Sequence, residues 1–163
     1  MRRGLTLLEM TMTMVILAIV ASILVPLMGD DSHGRIGAAT ILLRDDLEQA
    51  RFRTVADPEN PLAFRIDDDQ MGWQLIDPRD PSQPITRDDG SAWAIRSGEG
   101  RGAGMSGVHF ALSGTSQSTL EFDESGSILD RSAAPIITIS CQEHSQTLKI
   151  GAVTGIIHLA DDQ

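Results

Sequence analysis

One acidic side chain, Glu9, lies at the start of the longest apolar stretch of this 163-residue sequence. Residues 10–28 contain no charged side chain. As a helix this stretch would measure about 28 Å, close to the roughly 30 Å hydrocarbon core of a bilayer. A carboxylate inside a membrane segment costs roughly 2.5 kcal/mol or more, and less near an interface. Glu9 is therefore predicted to be a functional group that needs a specific partner.

The other side chains that could do chemistry are scattered along the chain. Asp67 to Asp69 lack the alternating ligands of an EF-hand loop and are predicted to form a solvated turn. The Gly-rich and Ser-rich stretches have no P-loop lysine and no strand–turn–helix setting, and the only lysine is Lys149. Histidine occurs at four positions without metal-ligand spacing, namely His33, His109, His144 and His158. The sequence therefore predicts no catalytic site, no metal site and no cofactor.

Composition narrows the class of protein further. The chain has 13 basic and 23 acidic residues, for a formal net charge of -10, which argues against a nucleic-acid-binding surface. A single cysteine, Cys141, excludes an intramolecular disulfide. It is predicted to be a small core residue on a strand.

The residues around the apolar stretch predict its orientation. Arg2 and Arg3 precede it, and Asp30 and Asp31 follow it, so the amino terminus is expected in the cytoplasm and the rest of the chain outside. A cleavable secretory signal ending near 20–22 is one alternative, although its apolar region would then contain Glu9. An uncleaved signal anchor, with Glu9 at the membrane interface, is another.

The stretch Gly4-Leu5-Thr6-Leu7-Leu8-Glu9, after two arginines and before an apolar helix, resembles the class III signal of type IV pilins and type II secretion pseudopilins. The resemblance implies that a prepilin peptidase cleaves after Gly4 and that Leu5 becomes the N-methylated amino terminus. It also implies that Glu9 pairs with the α-amino group of a neighbouring subunit. Pro26 would kink the helix near the outer membrane face, as in pilins, or would simply terminate it.

Beyond the apolar stretch, the pattern predicts an amphipathic helix from Arg35 to about Val55, ending before Asp57-Pro58. Glu48 and Arg51 would point to solvent at a favourable spacing. The stripe expected to face a core consists of Ile36, Ala39, Leu43, Leu47, Ala50 and Thr54.

The rest of the chain alternates with a period of two and predicts strands. Residues 62–66 and 72–76 are predicted to form a hairpin around a turn at 67–70. Two segments rich in Pro, Gly, Asp and Ser, 77–90 and 97–107, are predicted to be long surface loops. Further strands are predicted at 92–96, 108–112, 119–122, 136–141, 147–150 and 155–159.

These elements predict an α+β fold in which a long amino-terminal helix packs, through its second half, on an antiparallel sheet, which is again the pilin plan. Several features resemble the GspH/FimT branch, namely the leucine pattern that ends in Ala50-Arg51, the stretch 120–126 and the closing stretch 153–157. Ile156 departs from that pattern, where an arginine is usual. The expected organisation is a leader at 1–4, a transmembrane and filament-core helix at 5–28, an amphipathic half at 29–56 and a periplasmic β-rich domain at 57–163.

The resemblance implies a minor pseudopilin, a structural subunit at or near the tip of the type II secretion pseudopilus. Its implied partners are the prepilin peptidase and methyltransferase, other pseudopilins and the inner-membrane assembly platform. The chain would cross the inner membrane once before it joins a periplasmic filament. A minor pilin of a type IV pilus is the alternative, with FimT-like DNA uptake disfavoured by the acidic charge. A membrane-tethered periplasmic enzyme would need convergent ionisable groups that the sequence does not offer.

Overall fold

A computed structural model describes residues 7–27, 31–115 and 118–160. The chain divides into two compact units, Met1–Asp31 and Ser32–Gln163. The first contains helix α1, Leu7–Leu27, and the second begins with helix α2, Ser32–Ala56. The strands of the second unit are β1 (Ala63–Ile66), β2 (Gly72–Asp77), β3 (Asp80–Pro84), β4 (Ala94–Arg96), β5 (His109–Ser113), β6 (Thr119–Glu121), β7 (Ile136–Cys141), β8 (His144–Ile150) and β9 (Ile157–Ala160).

Helix α1 carries Glu9 in its first turn. Two hydroxyl groups within the apolar sequence donate hydrogen bonds to carbonyl groups one turn earlier: Thr11 to Leu8, and Thr13 to Glu9, each at 2.9 Å. This back-bonding satisfies hydroxyl groups that lie among apolar neighbours.

Helix α2 buries the stripe that its sequence predicts. All six of those side chains, from Ile36 to Thr54, are buried, and the helix ends before Pro58 because a residue that precedes proline avoids helical geometry. The prediction for Arg51 is wrong. Glu48 pairs with Arg44, whose Nε lies 2.8 Å from Glu48 Oε1, whereas Arg51 is half-buried and donates to a backbone carbonyl of the folded unit.

Two antiparallel sheets complete the second unit. The first has the order β3-β2-β1-β6, with β4 also paired to β2, and the second has the order β5-β7-β8-β9. In the predicted hairpin, Phe64 lies opposite Leu75 and Ile66 opposite Trp73. Gln70 in its turn adopts a positive φ of 61°, which closes the short connection.

The core lies where α2 and the inner faces of the strands meet. Trp73 is at its centre, with its ring centroid 4.9 Å from that of Phe110 and 6.4 Å from that of Phe64, separations typical of packed aromatic pairs. Cys141, on β7, is buried among the core residues, so the prediction of a small core residue on a strand is confirmed.

The two predicted loops contain regular structure, so those predictions are wrong in part. Strand β3 occupies residues 80–84 and pairs with β2, and a short 3-10 helix occupies Gly100–Met105. Pro81 and Pro84 concealed the strand from sequence analysis because proline is depleted in sheets. It is tolerated here because β3 lies at the edge of its sheet.

The fold class is α+β, with an amino-terminal helix followed by antiparallel sheets, and it agrees with the pilin-like plan. Among the residues that the structure describes, no helix combines the length and the apolar character required to cross a membrane. That finding gives no support to the predicted transmembrane segment at 5–28, whose first two residues and last residue lie outside the described ranges.

Candidate functional site

The predicted assembly site is the amino-terminal segment, and the structure describes part of it. Gly4 and Leu5 lie outside the described residues. Glu9 is exposed in the first turn of α1, and Pro26 is the next-to-last residue of that helix. The pairing of Glu9 with a neighbouring amino terminus, the cleavage after Gly4 and the kink at Pro26 stay predictions.

Helix α1 presents apolar side chains to its surroundings. Every side chain from Leu7 to Ser22 is exposed, and Leu7 and Leu8 are 84% and 72% exposed. The other large apolar side chains that are exposed are Met10, Met12, Met14, Val15, Ile16, Leu17, Ile19 and Val20. Contiguous exposed apolar surface of this extent is typical of a site that contacts another protein or lipid. We therefore expect the surface of α1 to be covered by one or the other.

In the second unit, the three stretches that resemble the GspH/FimT branch come together around one arginine. Arg51 Nε donates a hydrogen bond of 3.1 Å to the carbonyl oxygen of Gly126. Gly126 and Gly155 have positive φ angles of 76° and 62°. A Cβ atom at Gly155 would collide with the carbonyl oxygen of Gly126 and would lie 3.0 Å from Arg51 Nε. We call this group, Arg51 with Gly126 and Gly155, the Arg51 junction.

The turn that carries Gly126 is held by the carboxylate of Asp123. Its Oδ1 accepts hydrogen bonds from the backbone N–H groups of Ser125 and Ser127, both at 2.9 Å, and its Oδ2 accepts one from Arg131 at 2.7 Å. Hydrogen bonds lower the pKa of the Asp123 carboxyl below its ordinary value, and the bond from the Ser125 hydroxyl has the largest effect. The turn is tied to the loop before β9 because Ile128 N–H donates to the carbonyl oxygen of Ala152 at 3.0 Å.

Sequence analysis missed a second polar centre, at Asp46. This carboxylate is 1% exposed, and it accepts hydrogen bonds from the indole N–H groups of Trp73, at 2.9 Å, and Trp93, at 3.0 Å. Asp46 lies three residues after Leu43 and four before Ala50, so it falls on the predicted buried stripe of α2. That position, in a chain with two tryptophans, was the signal available.

The fold also brings together two of the scattered histidines. The rings of His33 and His144 lie 4.0 Å apart in an edge-to-face arrangement, and Ser32 Oγ is 2.9 Å from His144 Nδ1. Over residues 7–27, 31–115 and 118–160, no three His, Cys, Asp or Glu side chains are grouped so that they could hold a metal ion. The contact joins the start of α2 to the start of β8.

Comparison with known proteins identifies the amino-terminal segment. Residues 1–25 match the family described as the prokaryotic N-terminal methylation motif. The chain carries the amino-terminal signal of type IV pilin-like proteins. No curated protein and no solved structure matches the chain.

A signal of this kind has consequences for the whole chain. It implies processing by a prepilin peptidase, assembly with other pilin-like subunits and an amino terminus that is anchored at a membrane. The match covers the predicted cleavage site after Gly4, the predicted methylated residue Leu5 and Glu9.

Proposed function

We propose that this chain is a minor pseudopilin of the GspH/FimT type, a structural subunit of a type II secretion pseudopilus, at or near its tip. The observation that carries the proposal is the match of residues 1–25 to the N-terminal methylation motif. The exposed apolar surface of α1 supports it, because a filament core is made of such helices packed together. The Arg51 junction supports the choice of branch, because the stretches that carry the resemblance meet there.

In this role the subunit works by assembly and catalyses no reaction. The processed chain would be held in the inner membrane by α1, with its amino terminus on the cytoplasmic side and the second unit in the periplasm. On extraction into the filament, Glu9 would meet the α-amino group on Leu5 of a neighbouring subunit. The pair neutralises two charges in an apolar bundle and fixes the axial position of each subunit. The partners in this proposal are the peptidase and methyltransferase, the other pseudopilins and the assembly platform.

The proposal is tested by the chemistry of the mature chain and by the phenotype of its loss. Mass spectrometry of the chain purified from host membranes should find an amino terminus at N-methylated Leu5. The Gly4→Ala variant should keep its leader, whereas Thr6→Ala should be processed normally. Deletion of the gene should abolish secretion by the type II system and leave piliation intact.

Each result has an opposite that decides against the proposal. A functional chain that keeps Met1, Arg2 and Arg3 would exclude the processed form. Loss of piliation with normal secretion would assign the chain to a type IV pilus instead, because the methylation motif is common to both systems.

A further inference from the structure

A pocket of about 390 Å³ opens beside the carboxyl-terminal half of α2, within the second unit. Its lining includes three arginines, Arg53, Arg87 and Arg101, together with the indole of Trp93. The lining also includes four aspartates, Asp45, Asp46, Asp88 and Asp89, so the pocket is distinguished by how its arginines are held and not by an excess of positive charge. The pocket plays no part in the proposed assembly role of α1.

Two of these guanidinium groups lie over one aromatic ring. The Cζ atoms of Arg53 and Arg87 are 4.8 Å and 4.7 Å from the ring centroid of Trp93. Guanidinium groups stack favourably on indole, and stacking leaves the N–H donors at the edges of the guanidinium plane available to other acceptors. The ring therefore positions both arginines without using their hydrogen-bonding capacity.

The one buried carboxylate beside these arginines is already committed. Asp46 uses both oxygens to accept from the indoles of Trp73 and Trp93. Arg101 Nη1 lies 3.8 Å from Asp46 Oδ1, which is within ion-pair range and too long for a hydrogen bond. Asp46 therefore accepts hydrogen bonds that hold the core, and none from the Nε or Nη2 atom of Arg87.

Arg87 has donors that nothing in the described part of the chain satisfies. Its Nε and Nη2 atoms are shielded from solvent and have no hydrogen-bond partner among the described residues. A buried donor without an acceptor costs about 1–3 kcal/mol. Burial, and then the nearby charge of Arg101, lower the pKa of the Arg87 guanidinium, so the group lies where an additional anion would be favourable.

The geometry points to the ligand. Nε and Nη2 form one edge of the guanidinium, and that edge matches the two oxygens of a carboxylate. We propose that this pocket binds a single carboxylate group, which Arg87 receives on its Nε–Nη2 edge while Arg101 adds charge. The exposed carboxylates of Asp45, Asp88 and Asp89 also line the pocket, and they repel a doubly charged phosphate more strongly than a singly charged carboxylate. Because both donor atoms are shielded, the Arg87 side chain must shift for the ligand to reach them.

A carboxylate could come from an acidic side chain of a partner polypeptide or from a small free acid, and titration separates the two. The full-length chain in detergent is titrated at constant ionic strength with acetate, with a short peptide rich in glutamate, with the matching glutamine peptide and with inorganic phosphate. Tryptophan fluorescence reports binding, because both tryptophans of the chain contact Asp46. We expect saturable binding of carboxylates, with a Kd of roughly 1 mM for acetate.

Variants then assign the signal to the pocket. Arg87→Lys keeps the charge but removes the bidentate edge, and should weaken acetate binding about tenfold or more. Arg79→Lys is the matched control, because Arg79 is exposed and donates to the backbone of Glu59, and it should bind as the wild type does. Arg101→Gln, at an exposed position, should weaken binding severalfold and provides a second test if Arg87→Lys fails to fold.

The titrations identify the source of the carboxylate or overturn the proposal. Tighter binding of the glutamate peptide than of acetate, with no binding of the glutamine peptide, assigns the site to a polypeptide partner. Equal binding of the glutamate peptide and acetate assigns it to small acids. No saturable change beyond a chloride control means that trapped water alone satisfies Arg87 and overturns the proposal. Tighter binding of phosphate, or unchanged binding by both Arg87→Lys and Arg101→Gln, overturns it as well.

Discussion

Asp46 joins both tryptophans of the chain inside the second unit, and this single side chain has the clearest energetic consequence. Each of its oxygens accepts one indole N–H, at 2.9 Å from Trp73 and 3.0 Å from Trp93. An indole N–H can only donate, so it needs an acceptor when it is buried. The carboxylate is therefore the acceptor that allows two large aromatic residues to pack beside one helix.

Asp46→Asn should lower the free energy of unfolding by about 2–4 kcal/mol. The amide keeps one acceptor oxygen but turns an N–H₂ group toward the second indole, and each unsatisfied buried donor costs about 1–3 kcal/mol. The measurement is urea unfolding of the full chain, followed by tryptophan fluorescence. Asp45→Asn is the control, because Asp45 is the exposed neighbour and its change should stay within about 0.5 kcal/mol. If both variants lose the same free energy of unfolding, the hydrogen bonds from the two indoles to Asp46 do not account for its effect.

Asp123 gives a prediction about pH. Its hydrogen bonds to the Ser125 hydroxyl and to neighbouring donors lower its pKa below the ordinary 3.8 in the folded chain. A lowered folded pKa contributes stability that is complete above the unfolded value and is lost as the pH falls through the folded value. Asp123→Asn should therefore reduce stability at pH 7 by about 1–2 kcal/mol, and the loss should shrink below about pH 4.

Unfolding midpoints of the wild type and Asp123→Asn, measured from pH 7 to pH 3, check this prediction. Asp68→Asn, at an exposed position of another turn, controls for the loss of one negative charge. If the unfolding midpoints of the wild type and Asp123→Asn differ by the same amount at every pH, the ionised form of Asp123 does not stabilise the fold and the prediction is wrong.

At the scale of elements, the Arg51 junction joins α2 to two loops that are distant in sequence. Gly126 and Gly155 both need positive φ angles, of 76° and 62°, and the carbonyl oxygen of Gly126 fills the space that a side chain at Gly155 would need. Arg51 lies against both glycines. Closing the two loops on the helix in this way fixes the start of β9 relative to α2.

Gly155→Ala should therefore destabilise the chain by about 3 kcal/mol or more. A left-handed conformation costs an alanine roughly 1–2 kcal/mol, and the collision with the Gly126 carbonyl adds to that cost. Gly90→Ala separates the two causes, because Gly90 has a φ of 81° and nothing within 4 Å of an added Cβ. It should cost only about 1–2 kcal/mol. Chemical unfolding of both variants measures the difference, and equal effects would mean that the close contact is unimportant.

The elements themselves were largely predictable, and the reason is periodicity. The buried face of α2 and the facing pair of Phe64 and Leu75 follow from spacings that the chain repeats. Strand β3 was not predictable, because its pairing with β2 outweighs two prolines. The pocket around Arg87 was not predictable either, since the contact of Arg87 with Trp93 depends on the pairing of Thr86 with Ala92, which no spacing in the sequence indicates.

At the scale of the whole molecule, the chain combines a folded unit that buries its own core with a helix that does not. The second unit encloses Phe64, Trp73 and Phe110 completely, whereas the described side chains of α1 are all exposed. Surface that stays exposed in one chain is available to others. The assembly signal and the surface to be covered thus lie in the same segment, and a defect in assembly can be introduced there without touching the folded unit.

Glu9→Ala should leave processing intact and impair assembly. If Glu9 pairs with the amino terminus of a neighbouring subunit, its loss leaves that amine buried without a partner, at a cost of about 3–5 kcal/mol, or roughly 100-fold or more in association. The measurement is the amount of chain that co-purifies with other pilin-like subunits from host membranes, with mass spectrometry of its amino terminus. Thr13→Ala is the control, because the Thr13 hydroxyl donates to the carbonyl oxygens of Glu9 and Met10 within α1, and it should assemble normally. If the cleaved Glu9→Ala chain co-purifies with the other subunits at the wild-type level, the Glu9 carboxylate is not needed for assembly.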